Sequence, residues 1–259
     1  MSTVIYPSPI FGPIHSRRLG ISLGINLMPS DGKVCTFDCI YCECGFNADH
    51  RPKRNRPTRE EVKVALEQKL KEMSAAGQLP DVLTFAGNGE PTAHPHFPEI
   101  MDDTIALRNI YCPKAKVSVL SNSTFADRPA VHAALMRIDN NILKIDTVDP
   151  AYINKVNRPV GIHYDVKQII ETLKSFNGHV IIQTMFMRGT MEGQSVDNTG
   201  EEYVKPWLDA VAYIKPMEVM IYTIDRETPD HDLLKAQPSV LDAIRDRVIA
   251  MGIPCTASY

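Results

Sequence analysis

The sequence predicts an α/β fold, a partial (β/α)6 barrel, on three observations. Short β-rich apolar runs alternate with longer segments of helical period, and those segments carry legible start and stop signals. A length of 259 residues fits six such units in one domain better than two separate domains.

The strands are expected over 20–27, 82–86, 117–121, 142–146, 179–187 and 217–224, where β-branched and aromatic residues concentrate. Between the first two, Thr58 with Glu61 forms a capping box, Val62, Leu66, Leu70 and Met73 line one helix face, and Gly77 is the stop. Val166, Ile169, Ile170, Leu173 and Phe176 make a second stripe, closed by Gly178. Thr199 with Glu202 is expected to open a third helix carrying Val204, Trp207, Leu208, Val211 and Ile214. Ser239 with Asp242 is expected to open a fourth, with Leu241, Ile244 and Val248 inward and Gly252 as its stop. Shorter helices are expected over 97–110 and 128–138. Six strands alternating with six helices imply right-handed βαβ units on a parallel sheet, whose functional groups gather where strands end.

Composition removes several classes. Hydrophobic residues at 44% and charged residues at 23% exclude a disordered chain, a collagen and a coiled coil. The 28 Lys+Arg against 31 Asp+Glu leave a net charge of −3, so no global basic field recruits nucleic acid. MSTVIYPSPIFGP does not read as a signal peptide, and no apolar run is long enough to span a bilayer. A reducing, cytoplasmic setting without membrane contact is expected, and clustered cysteines there point to metal before disulfides.

The cluster reads Cys35-Thr-Phe-Asp-Cys39-Ile-Tyr-Cys42-Glu-Cys44, directly after the first strand. Chance would give the C-x3-C-x2-C spacing on the order of 0.003 times per sequence. A loop of this length is expected to bring three thiolates to a single point. Soft thiolates suit an iron–sulfur cubane, and three ligands for four irons leave one iron open to a small chelating molecule. A zinc site completed by Cys44 or His50 is the alternative, although no second C-x2-C knuckle follows. Cys44 stays open as a spare ligand, a redox thiol or a small loop residue, and Cys112 and Cys255 read as buried thiols.

These residues resemble the signature of the radical S-adenosylmethionine (radical SAM) enzymes, with Tyr41 as the aromatic residue before the last cysteine. The resemblance implies a partial barrel of radical SAM type over residues 1–259, with the cluster loop at 33–46 and the barrel over about 20–257. It implies a [4Fe–4S] cluster on Cys35, Cys39 and Cys42, with the methionyl amine and carboxylate of S-adenosylmethionine on the open iron. Reductive cleavage to methionine and a 5′-deoxyadenosyl radical, followed by hydrogen abstraction from a substrate, would be the activity.

Other strand ends bear on this expectation. Gly87-Asn88-Gly89-Glu90-Pro91-Thr92 can be a turn leaving the sheet, or a ligand site offering close backbone approach and a carboxylate. It resembles the family's Gly-Gly-Glu segment, which implies that Gly87, Gly89 and Glu90 take the methionyl amine, although Asn88 splits the glycine pair. Ser121-Asn122 either ends its strand in an Asx turn or lies near the cofactor. Lys144 and Asp146 alternate with Leu143 and Ile145, so both face the barrel interior as an ion pair or a ligand site. Gln183 is a satisfied core amide or a further polar group at the cofactor. By resemblance Tyr41 would border the adenine through its backbone, and Ser121, Asn122, Lys144 and Asp146 would address the ribose or carboxylate.

Further stretches look like the stand-alone proteins similar to wyosine (tRNA imidazoguanine) synthases: Ser16-Arg17-Arg18-Leu19-Gly20, Gly24-Ile25, Lys144-Ile145-Asp146, Asn157-Arg158-Pro159, Gln183-Thr184-Met185-Phe186 and Tyr222-Thr223-Ile224-Asp225-Arg226. That branch carries extra cysteines upstream for a second cluster, and this chain has none before Cys35. An external flavodoxin- or ferredoxin-like electron donor is therefore expected. Arg51, Lys53, Arg54, Arg56 and Arg59 form one local basic loop, either a contact for an RNA backbone, tRNA included, or a solvated loop offset by Glu60 and Glu61. Arg158 and Arg226 could clamp an anionic substrate or serve in structural ion pairs. A small metabolite or peptide is the competing substrate, and a non-enzymatic zinc- or cluster-binding module that recruits a partner is the competing class. His94 and His96 beside Pro95 and Pro98 mark a helix start, Asp230-His231-Asp232 a polar loop, and Met185 and Met187 core positions, with Met185 able to border the cofactor.

Overall fold

The computed structural model of the protein describes residues 3–16 and 20–259, without the side chain of Ser16. Arg17, Arg18 and Leu19 of the first resembling stretch lie outside the described residues. The elements follow in chain order as β1 (Ile10–Ser16), β2 (Gly20–Ile25), α1 (Arg59–Ala75), β3 (Val82–Phe85), α2 (Phe97–Tyr111), β4 (Lys116–Ser121), α3 (Pro129–Leu135) and β5 (Asn140–Lys144). After them come α4 (Pro150–Tyr152), α5 (Val166–Ser175), β6 (Ile181–Met185), β7 (Met187–Met191), β8 (Gln194–Ser195), α6 (Glu201–Ile214), β9 (Glu218–Tyr222), β10 (Leu233–Lys235), α7 (Pro238–Ala250) and β11 (Cys255–Ser258).

The eight-stranded sheet runs β1-β2-β3-β4-β5-β6-β9-β11 and is not closed. Its middle six strands are the expected six, in chain order and parallel, as right-handed βα units require. Two strands of this sheet lie outside the expected six: β1 folds back antiparallel on β2, and β11 extends the parallel sheet beyond β9. The expected strand 179–187 is also two elements. β6 ends at Met185, and β7 turns off into a small antiparallel sheet with β8 and β10.

Alternation of residues divides the sheet into two faces. Leu23, Ile25, Leu83, Phe85, Val117, Val119, Leu143, Ile145, Ile182, Val219 and Ile221 pack outward against the helices in the main core. Each fully buried Leu, Ile or Phe there adds about 1.5–3 kcal/mol. Inside, a small apolar plug forms from Ile142, Ile181 and Met220 with Leu120.

Helix α1 has the expected capping box and buries the expected stripe. Two expected caps fail for local reasons. Thr199 turns its hydroxyl to Asp197 at 2.6 Å, and Gly200 becomes the N-cap of α6. In α7 the first helical residue is Pro238, whose fixed φ suits that position, so Ser239 lies inside the helix and Gln237 is the cap.

Candidate functional site

The cysteine loop leaves β2 and is braced from within by Asn47. Its Oδ1 accepts from Cys35 N at 3.2 Å, and its Nδ2 donates to the carbonyls of Cys35 and Phe37 at 3.2 and 3.3 Å. Cys42 N donates to Cys39 O at 3.1 Å, and Gly45 N to Cys42 O at 2.9 Å.

Two neighbouring segments grip this loop. On one side Val34 bridges to Gly89, with Val34 N donating to Asn88 O at 2.9 Å and Glu90 N to Val34 O at 3.3 Å. Gly89 has φ +140°, and a Cβ there would stand 1.8 Å from Val34 O, so only glycine admits the contact. The close approach expected for a ligand is thus made by the cysteine loop itself. Asn88, which splits the glycine pair, ties in the N-terminal segment through Tyr6 N and O, both at 2.8 Å. On the other side, Val156 and Asn157 end a π-helical turn, Ile153–Asn157, and Arg158 caps it. Ile40 N donates to Val156 O at 3.0 Å, and Asp38 N is shared between Asn157 O and Arg158 O at 3.0 and 3.1 Å.

All three thiols of the motif are unpaired; Cys39 is buried and Cys35 and Cys42 are half-buried. Asn122 Nδ2 lies 3.6 Å from Cys35 Sγ, and Asn157 Nδ2 lies 3.7 Å from Cys39 Sγ. Burial pushes the Cys35 and Cys39 thiols up. Cys42 is held down at about 6, first by a hydrogen bond from Cys44 and, against burial, by Lys33. Cys44 itself is buried, with Sγ 3.5 Å from Gly87 O. Unpaired thiols that each face a hydrogen-bond donor match the chemistry of a soft, thiolate-held centre. Among the described residues, no three His, Cys, Asp or Glu side chains converge as they would round one metal ion. The expectation of a single meeting point is therefore corrected. A cubane, which offers each thiolate its own iron, does not require one.

The two buried carboxylates are organisers. Glu90 Oε1 accepts from Thr92 N at 2.9 Å, from the Thr92 hydroxyl and from Ser121 Oγ at 2.8 Å, and Oε2 accepts from Asn122 N at 2.7 Å. Burial raises its pKa while those donors oppose the rise. Asp146 does face inward with Lys144, 3.9 Å from its Nζ, as the alternation predicts. Its Oδ2 accepts from the Tyr41 hydroxyl and from Asn157 Nδ2 at 2.7 Å, and its Oδ1 from Met185 N at 2.9 Å. Lys144 Nζ donates to Tyr222 Oη at 2.7 Å and Tyr41 Oη at 3.2 Å.

A cavity of about 400 Å³, within the range of small-ligand pockets, fills the inner face near the C-terminal strand ends. Tyr41, Cys42, Lys144, Gln183, Met185 and Tyr222 line it, and Phe11 of β1 lies against Gly24 at its side. Of the expected site residues, Cys35, Cys39, Gly87, Gly89, Glu90, Ser121, Asn122 and Asp146 are not in its wall. They shape the loop that carries Cys42 or hold residues that do line the cavity. Gln183, a buried residue of β6, stands in the wall of this cavity.

The remaining polar candidates are largely structural. At the rim, Arg226 donates to Glu43 Oε2 and Tyr6 Oη, both at 2.6 Å. Arg158 lies over the Phe46 ring, 5.1 Å from its centroid. His94 Nδ1 accepts from His96 N at 3.1 Å beside the start of α2, as a helix-start residue should. In the basic loop Arg59 pairs with Asp103 and Arg56 donates to Ala93 O at 3.1 Å, while Arg51, Lys53 and Arg54 stay exposed. The sequence pattern gives Lys33 and Asn157 no role of their own. The only signal for Asn157 was its place in the Asn157-Arg158-Pro159 stretch, and Lys33 gave none. Among the described residues no helix is long and apolar enough to cross a membrane.

The cysteine loop thus stands at the mouth of an open βα barrel. Residues 30–199 match the family described as the radical SAM superfamily, and the chain belongs to it. It is 30% identical over 226 residues to a UPF0026 protein of Helicobacter pylori, covering 84% of this chain and 66% of that one. It spans between about half and two thirds of the length of the curated relatives it matches first. Among solved structures, SuiB of Streptococcus suis bound to S-adenosylmethionine superposes with TM-score 0.65 at 13% identity, covering 91% of this chain and 50% of that one. TYW1 with a lysine–pyruvate adduct gives TM-score 0.60 at 15% identity, with 88% and 73% covered. Likeness at such identities shows the shared partial-barrel fold.

Proposed function

We propose that the protein is a radical SAM enzyme in which Cys35, Cys39 and Cys42 hold a [4Fe–4S] cluster and the cavity beside Cys42 receives S-adenosylmethionine. The observation that carries this reading is the placement of Cys42 in the wall of the inner-face cavity together with Tyr41, Lys144 and Gln183. A recruiting module would need only a surface. When bound, the reduced cluster supplies the electron that cleaves the sulfonium of S-adenosylmethionine, giving methionine and the hydrogen-abstracting 5′-deoxyadenosyl radical.

The chain's own residues have separable tasks. Lys144 presents a half-buried cation suited to a carboxylate or ribose hydroxyl, and Gln183 an amide with both donor and acceptor. Gly87, Gly89 and Glu90 shape the segment toward which the methionyl amine is assigned, where Glu90 Oε2, with one donor, keeps acceptor capacity. Ser121 and Asn122 are fixed by Glu90, and Asp146 fixes Tyr41. A flavodoxin- or ferredoxin-like protein is the assigned electron source.

Anaerobic reconstitution with iron and sulfide, then dithionite and S-adenosylmethionine, tests the reading by mass detection of 5′-deoxyadenosine. Product in the wild type and none in Cys39→Ala is expected; a wild type that binds zinc and assembles no cluster would sink it. For the substrate we assign RNA, tRNA included, on the exposed cations Arg51, Lys53 and Arg54. Salt-sensitive RNA affinity lost on neutralising these three supports it, whereas no affinity at low salt turns the assignment to a small metabolite or peptide.

A further inference from the structure

Lys33 is a buried cation that the proposed reaction does not yet use. Its side chain is 1% exposed, and its Nζ donates to Gly45 O at 2.6 Å and lies 3.6 Å from Asp38 Oδ1. Gly45 follows the last cysteines and Asp38 stands between Cys35 and Cys39, so the ammonium sits between the two limbs of the cysteine loop. A buried ammonium is costly unless opposed by negative charge. Asp38 supplies one such charge, and its Oδ1 is also taken by Asn47 N at 2.7 Å.

We propose that Lys33 is a positioning residue whose fixed charge offsets the three thiolates and the cluster they hold, favouring the reduced, more negative cluster and so raising its reduction potential. The inference rests on the cluster assignment made under Proposed function. Reduction adds one electron from an external donor and no proton, so total negative charge rises by one inside the loop. A cation held in a low-dielectric site stabilises that added charge far more than water would. Net charge and hydrogen bonds to sulfur are recognised settings of cluster potential.

The test compares wild type, Lys33→Arg, Lys33→Met and Lys33→Gln after anaerobic reconstitution. Iron and sulfide per chain, far-UV circular dichroism, and a dithionite titration followed by electron paramagnetic resonance are measured. In the neutral variants the reduced-to-oxidised ratio at a fixed potential is expected to fall about tenfold, a downward shift of about 59 mV for one electron. Lys33→Arg should stay near wild type. A fully loaded neutral variant with the wild-type ratio overturns the inference. Neutral variants that keep native dichroism but take up no cluster, while Lys33→Arg loads, support it. Failure of Lys33→Arg to load as well, or loss of native dichroism in both neutral variants, makes the role structural and overturns it. A wild type that assembles no cluster instead defeats the underlying assignment.

Discussion

Replacing Gly89 by Ala tests whether the Gly-Asn-Gly-Glu segment works as a clamp on the cysteine loop. At φ +140° the new Cβ would meet Val34 O at 1.8 Å and Cys35 N at 3.2 Å, so the loop must move. The backbone conformation alone costs a non-glycine residue roughly 1–3 kcal/mol. Displacement also removes the hydrogen bonds Val34 N to Asn88 O and Glu90 N to Val34 O, about 1 kcal/mol each. The total of about 3–5 kcal/mol corresponds to a fall in Tm of roughly 6–20 °C for a domain of this size. Gly77→Ala is the control: its φ is +67°, and no atom lies within 4 Å of the added Cβ. It should cost only about 1–2 kcal/mol. Thermal unfolding of the metal-free proteins, and iron bound after reconstitution, are the two assays. Gly89→Ala should lose both stability and iron, and Gly77→Ala should keep its iron. Equal Tm values and equal iron in the two variants would refute the clamp.

Three further outcomes follow from the same structure. Burial lowers the pKa of His94, and its Nδ1 accepts from His96 N, so the folded protein holds a neutral ring. The unfolded chain binds more protons below about pH 6.5, so stability should be present above that value and decline as pH falls through the folded pKa. Urea unfolding at pH 7.5 and 5.5 should show this decline in wild type and a smaller one in His94→Gln; an identical decline in both removes His94 as the cause. Arg226→Ala breaks a rim ion pair whose side chains are 51% and 39% exposed, so it should cost under about 1 kcal/mol. A measured loss above about 2 kcal/mol would show that the contact is not a solvated surface pair. Trp207→Phe leaves Thr184 Oγ1 without the indole donor at 3.0 Å in a buried site and should cost about 1–3 kcal/mol, read from the urea midpoint.

What the sequence revealed and what it concealed divide along the distance over which each contact acts. The α1 capping box is a matter of four adjacent residues, and its partners Thr58 and Glu61 carry the whole signal. The inward pairing of Lys144 and Asp146 needs only the two-residue period of a strand, and the C-x3-C-x2-C spacing is likewise local. The small antiparallel sheet was hidden because Met185, Phe186 and Met187 form one unbroken apolar run, although the chain leaves the main sheet within it. Thr199 misled because Asp197, two residues back, competes for the same hydroxyl. The residues most telling for the site were the least legible. Asn157 reaches Cys39 across 118 positions and Asp146 across 11, and neither separation leaves a periodic trace. Lys33 beside a glycine and a valine reads as an ordinary surface lysine until the loop closes round it. Its burial is therefore a tertiary decision, made when Gly45 O and Asp38 close round the ammonium. A neutral substitution at Lys33 should consequently act on the cluster before it acts on the barrel.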